Sequence, residues 1–328
     1  MNKLSNFILK GLRRVYLKIN KKEIGHLPEH DSDADSIAQK IYGLLSQDKP
    51  CMIARFGAFE LATITNYLGV RQGRQSLYKY IKGDVIDWWW NKTLLNFMHQ
   101  NAGFFPMSER YIEKFCQLML EETKNVDILG SWQKNEFFIQ KELNEASKIQ
   151  LIYLDPYWSK KPWTRILEGK KVLVVHPFKH TIEAQYKRRE LLFENPAVLP
   201  KFLSLQVIRA VQSIGGSDNG FKDWFEALNY MKSEIDKCDY DICLIGCGAY
   251  GFPLAAHVKR MGKKAVHLGG SLQLLFGIKG KRWEHPEFGI EDFNEKGKYL
   301  TLMNEYWIYP GAQERPKSAG KVEDACYW

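Results

Sequence analysis

With 328 residues, 45% of them apolar and 13% aromatic, the chain can bury a sizeable core as one large α/β domain or two smaller ones. Its formal charge of +9 is concentrated: seven of 47 Lys and Arg lie in residues 1–22, which hold no acid, leaving 40 basic against 38 acidic residues elsewhere. With no nucleic-acid motif, nucleic-acid binding is not expected. No apolar run nears the roughly 20 residues of a membrane span, no signal-peptide core is present, and the six cysteines form no CxxC pair; a cytoplasmic protein without zinc or disulfides is expected.

In residues 1–22, Leu4, Phe7, Ile8, Leu12, Val15 and Ile19 recur at helical spacing, while Lys3, Lys10, Arg14, Lys18 and Lys21 fall mostly on other faces. Such a basic amphipathic helix either lies on an anionic membrane surface, making the protein peripheral at the inner face of the cell membrane, or packs on the body with a solvated basic face. Residues 23–47 read as a polar linker and a first helix, capped by Ser32 or Asp33 and reaching Leu45. The stretch PCMIARFGAFELATITNYL then gives a buried strand at 52–56, a turn at Gly57 and a helix at 58–68. Arg55 and Glu60 thereby stand at a strand end facing the crevice where α/β sheets bind ligands, unless they form an ordinary ion pair at a helix start.

Residues 84–100, with Trp88, Trp89 and Trp90, read as one helix, and 108–122 as another capped by Ser108. The tryptophans are either a sugar-stacking surface or core. Short strands are expected at 126–129 and 150–154, the second followed by Asp155-Pro156-Tyr157-Trp158, and a clear buried strand at 172–175 ends in His176-Pro177. A histidine there is a base, a phosphate donor or a satisfied structural residue. A helix at 181–193 carries Lys187, Arg188 and Arg189, facing the crevice or solvent. A strand at 203–211, a polar glycine loop at 215–220 and an amphipathic helix at 221–237 follow.

Residues 242–245, Gly246, Gly248, Gly251, a helical pattern over 252–261 and an apolar run at 265–268 make one βαβ unit. Its glycines either let the backbone approach a diphosphate at a helix start or allow tight helix-on-strand packing. The GxGxxG spacing also fits dinucleotide binding, which wants an acid about 20 residues on. Here the second strand ends His267-Leu268-Gly269-Gly270, so NAD is not expected. Alternating strands and helices over 48–280 predict a single Rossmann-like, doubly wound, mostly parallel sheet. The tail, ending Cys326-Tyr327-Trp328, carries too much aromatic surface to dangle and is expected to fold back on the body.

The order and spacing of IARFGAFEL, the HPF…TI…QY.RR segment, DICLIGCGAYGFPLAAHVKRMGKKAVHLGG, FGIKGKRW and the terminal CYW resemble bacterial glycosyltransferases of the GT-D fold, in their polysaccharide-biosynthesis branch. The resemblance covers most of residues 48–328. It implies a catalytic domain at 48–285 with an extension at 286–328, a nucleotide-sugar donor in the crevice, and a growing cell-surface polysaccharide or glycolipid as acceptor. It also implies an Asp-x-Glu pair for a divalent metal, Mg²⁺ or Mn²⁺, where this chain has Ala58-Phe59-Glu60 and keeps the glutamate alone.

Transfer from a nucleoside diphosphate needs positive charge on the departing group and a base or aligned hydroxyl for the acceptor. Arg55, Arg188, Arg189, Lys279 and Arg282 are the candidate cations, with the backbone at Gly57, Gly246, Gly248 and Gly251. Glu60 is the candidate base or sole protein ligand of a metal, and His176 the second candidate base. In a metal-free version the arginines carry the charge. The competing readings are another nucleotide-dependent enzyme, such as an NAD-dependent oxidoreductase, and a non-catalytic polysaccharide-assembly protein.

Overall fold

Runs that are apolar at every position suit strands covered on both faces of a parallel sheet, whereas polar interruptions suit edges. In the computed structural model, which describes residues 3–143, 145–214, 219–316, 318–321 and 325–328, runs with an apolar centre form β1 (Cys51–Ala54), β2 (Ile128–Ser131), β4 (Lys171–His176), β6 (Ile242–Ile245) and β7 (Lys264–His267). The polar-interrupted β3 (Ser147–Gln150) and β5 (Ser204–Arg209) are the two edges. All pairings are parallel, in the order β3-β2-β1-β7-β6-β4-β5, so the expected mostly parallel sheet is entirely parallel. The first part of the chain lays down β1 to β3 outward, the later part lays down β4 to β7, and the two meet where β1 pairs with β7.

The connecting helices are α1 (Lys3–Ile19), α2 (Ala34–Ser46), α3 (Ala58–Gln72), α4 (Leu77–Ile81), α5 (Lys92–Gln100), α6 (Glu109–Thr123), α7 (Lys179–Tyr186), α8 (Trp224–Asp236) and α9 (Gly251–Arg260). Alternate strand residues feed two cores. Met52, Ala54, Leu173, Val175 and Ala265 pack with α3, α5, α6, α8 and α9. Cys51, Ile53, Val172, Val174 and Val266 pack with α2, α7, the turn Gly269–Phe276 and the tail. Side-chain caps fix five helix starts: Asp33 Oδ1 accepts from Ser36 N at 2.7 Å, Ser76 Oγ from Lys79 N at 3.5 Å, Asn91 Oδ1 from Leu94 N at 3.3 Å, Ser108 Oγ from Tyr111 N at 3.4 Å, and Asp223 Oδ1 from Glu226 N at 2.8 Å.

The tail does fold back. Glu314 accepts from the N–H groups of His180 (2.6 Å) and Thr181 (3.2 Å), so its carboxylate closes the N-terminus of α7. The Trp307 indole donates to Leu192 O at 3.0 Å, and the buried Gln273 amide donates to Tyr327 O at 3.2 Å.

Three expected elements differ. The helix expected over 84–100 begins only at Lys92, because the buried Asn66 amide donates to Asp87 O (3.3 Å) and Trp89 O (2.9 Å) and accepts from Asn91 N (2.9 Å), holding that backbone in an irregular path. Trp88 and Trp89 pack against Tyr80, and Trp90 against Tyr67. The strand expected at 150–154 ends at Gln150, after which Leu151–Leu154 turns into a 3-10 segment. The helix expected to reach residue 193 stops at Tyr186, whose ring stacks on Phe202 at 4.6 Å, and the chain then bends to bury Leu192. Residues 215–218 of the expected glycine loop lie outside the described residues.

Removing the Asn66 amide leaves three backbone groups of a partly buried segment without partners. Asn66→Ala is expected to cost about 3 kcal/mol in urea unfolding; a loss below about 1 kcal/mol means that water replaces the amide and the account of this segment is wrong.

Candidate functional site

Because every strand is parallel, all C-terminal ends open on one edge of the sheet, and a crevice forms where the strand order reverses. A cavity of about 1150 Å³ occupies that place. Into it the chain brings Arg55 just after β1, Ser131 and Trp132 at the end of β2, His176 from β4, Gly246 after β6 and His267 from β7. The tail closes the far wall with Asp292, Tyr299 and Tyr327.

Arg55 is the central cation. Burial pulls its pKa down, while the negative charges of Glu60 and Asp155 oppose that. Among the described residues its guanidinium has no ion pair and no side-chain hydrogen bond, and it lies over the Trp132 ring at 5.2 Å. The Trp132 indole donates to Phe56 O at 3.1 Å, and its backbone N–H donates to buried Glu136 at 2.9 Å, so the side chain is fixed although the residue is 41% exposed.

Glu60, in the first turn of α3, is buried with its carboxylate curled over the helix N-terminus. Burial raises its pKa; its own backbone N–H and then Arg55 pull it back down. Gly57 makes the curl possible, because a Cβ there would lie 1.8 Å from Glu60 Oε2.

His176 is buried, and burial drops its pKa to about 3, so it is neutral near pH 7. Its Nδ1 accepts the Phe178 N–H at 3.0 Å, which leaves the proton on Nε2 and makes the ring a hydrogen-bond donor there. His267 is likewise driven to about 3, first by burial and then by the Arg55 charge, and its Nδ1 has no partner. Asp155 accepts from the Tyr299 hydroxyl at 3.1 Å, and burial raises its pKa to about 6 against the pull of Ser271, Tyr299 and Arg55.

Of the residues singled out from sequence, Arg55, Gly57, Glu60, His176, Gly246, Gly248 and Arg282 line this one cavity. Arg282 donates to the Tyr327 hydroxyl at 3.1 Å and stacks on its ring. Four residues stand elsewhere. Gly251 is covered by the His267 ring, 2.2 Å from where its Cβ would be, so this glycine serves helix-on-strand packing. Arg188 and Arg189 lie past the early end of α7, off the cavity wall, with Arg189 paired to Glu190 at 2.5 Å. Lys279 points over Tyr309 instead.

Comparison with known proteins adds little to this geometry. No family model and no curated protein matches the chain. A solved structure described as the highly conserved domain of unknown function 1792, with a distinct glycosyltransferase fold, aligns over 92% of this chain and 95% of its own, at 12% identity and a TM-score of 0.36. A superposition that loose transfers neither residues nor chemistry.

Sequence reasoning missed Trp132, Asp155, His267 and Tyr327 as site residues. Asp155 and His267 carried a signal, since both follow or end an expected strand. Trp132 and Tyr327 carried none, because their place depends on β2 lying beside β1 and on the path of the tail.

A divalent cation held by protein does not fit these residues. The Glu60 carboxylate is turned onto its helix, Arg55 stands beside it, and among the described residues no group of three His, Cys, Asp or Glu is placed to bind an ion.

The raised Asp155 pKa fixes a sign. Between its unfolded value near 3.8 and about 6, the folded protein holds a proton that the unfolded chain releases. Stability from this group therefore falls as pH rises through that window, by up to about 3 kcal/mol. Asp155→Asn lacks the slope, so the melting temperature of the variant minus that of the parent is expected to climb from pH 4 to pH 7; the histidine contributions are common to both and cancel. A difference flat with pH contradicts the assignment.

Proposed function

We propose that the protein is a glycosyltransferase that moves a sugar from a nucleotide-diphosphate sugar to a cell-surface polysaccharide or glycolipid acceptor. The observation that carries this reading is the Arg55 guanidinium, set in a large cavity at the C-terminal edge of a parallel sheet with no carboxylate in ion-pair distance. A cation removed from water without a partner is costly, and an anionic ligand offsets that cost. A diphosphate suits the place: Arg55 and Arg282 supply charge, His176 Nε2 supplies a neutral donor, and the Trp132 face supplies a stacking wall for sugar or base.

Glycosyl transfer asks for stabilisation of the leaving diphosphate and for removal of a proton from the acceptor hydroxyl. In this proposal the arginines carry the first task without a metal. Glu60 carries the second, its basicity raised by burial against the pull of its own backbone N–H and of Arg55. Asp155, with a pKa of about 6, is a second carboxyl group on the cavity wall and orients the sugar hydroxyls.

Uridine and guanosine diphosphates, and their sugars, are expected to raise the melting temperature of the purified chain, with stabilisation of about 2.7 kcal/mol at a hundredfold excess over Kd. Arg55→Ala abolishes the shift, whereas Arg189→Ala, which changes a residue off the cavity, leaves it intact. If millimolar diphosphates leave the parent protein unmoved, the proposal fails.

Donor turnover is expected to fall on the order of a hundredfold or more in Glu60→Gln with diphosphate binding retained, and to survive chelation by EDTA. Full turnover in Glu60→Gln removes it as the base, and loss of turnover with EDTA refutes the metal-free arrangement.

A further inference from the structure

An amphipathic helix on a globular body normally turns its apolar stripe inward. In α1 the arrangement is reversed. Leu9 and Arg13 face the body: Arg13 sits over the Tyr80 ring at 4.3 Å and, with Lys10, pairs with Asp87 at 3.8 and 3.2 Å. The Tyr80 hydroxyl donates to the same carboxylate at 2.7 Å. The apolar stripe of Leu4, Phe7, Ile8, Leu12, Val15 and Ile19 is left in solvent, with Phe7 76% and Ile19 74% exposed.

We infer that this face of α1 docks the protein on an anionic lipid bilayer. Charge complementarity selects that occupant. Residues 1–22 contain no acid. By the 100° helical step, Arg14 and Lys18 flank the exposed stripe on one side, and Lys21 follows it; all three are exposed and make no ion pair among the described residues. An apolar strip inserted at the depth of the headgroups, with basic side chains beside it reaching lipid phosphates, is how an interfacial helix binds. No helix among the described residues is long and apolar enough to cross a membrane, so α1 lies on the surface. This inference stands apart from the proposed chemistry, since it needs no nucleotide and no turnover.

The test uses the full chain, without donor, in flotation with vesicles of phosphatidylcholine alone or mixed with phosphatidylglycerol. Binding is expected on the mixed vesicles, weakened by salt, and absent on phosphatidylcholine. Phe7→Gln with Leu12→Gln is expected to weaken it about tenfold or more, at an unchanged melting temperature because both side chains are solvent-exposed. Arg14→Gln with Lys18→Gln weakens it on phosphatidylglycerol vesicles for the separate, electrostatic reason. No flotation with the mixed vesicles overturns the inference. So does a dimer in sedimentation velocity that Phe7→Gln with Leu12→Gln dissociates while vesicle binding persists, because the stripe is then a contact between two copies of the chain.

Discussion

Arg55 follows β1 at its junction with β7, and the surrounding residues all bear on the cost of removing its charge from water. Two carboxylates, Glu60 and Asp155, are near enough to hold the guanidinium charged, yet neither closes to ion-pair distance. Each is detained by another donor: Glu60 by the N-terminus of α3, Asp155 by the Tyr299 hydroxyl. Had either closed on Arg55, an incoming anion would first have to break a buried pair, at a cost that binding would have to repay. Held apart, they leave the guanidinium with its donors unspent for an incoming anion.

The glycines around the cavity belong to the same account. Gly57 makes room for the Glu60 carboxylate, Gly251 for the His267 ring, and Gly270 for Tyr327, whose ring lies 2.4 Å from where a Cβ would stand. A GxGxxG spacing suggests a backbone cradle for phosphates, but at Gly251 it records the fit of a site side chain. Gly248 differs, with φ of +57° and only ordinary contact, the Ala102 carbonyl at 4.0 Å, where a Cβ would be. The tail then matters as much as the sheet. Gln273 holds the Tyr327 carbonyl and Arg282 its hydroxyl, so the last residues of the chain form part of the cavity wall.

How much of this was legible beforehand follows from which interactions are local. The inner strands were readable because burial on both faces favours a continuous apolar centre, and Arg55, Glu60 and His176 were readable because a parallel sheet puts its strand ends on one edge. The edge strand β3 was misread because LIYL turns into a 3-10 segment after Gln150 instead of continuing the strand. Arg188 and Arg189 were misplaced by extending a helical face beyond Tyr186, where the stacking of that ring on Phe202 ends the helix. The helix expected over 84–100 failed at its start for a similar reason: one buried amide, Asn66, outweighs the helical propensity of residues 84–91 by satisfying their backbone directly.

The orientation of α1 obeys the same rule of polar groups deciding what apolar pattern alone leaves open. Asp87 is partly buried, and a carboxylate there needs donors. Tyr80 supplies one, but Lys10 and Arg13 supply charge, and they lie on the side of α1 opposite its apolar stripe. Satisfying Asp87 therefore fixes the rotation of the helix about its axis, and the stripe is turned outward as a consequence. The alternative rotation would bury Phe7, Leu12 and Val15 at the expense of leaving Asp87 with a tyrosine hydroxyl and no cation. That the folded chain keeps the ion pairs and forgoes the apolar burial makes the outward stripe a consequence of the packing of Asp87 and its cations, independent of anything the helix later touches.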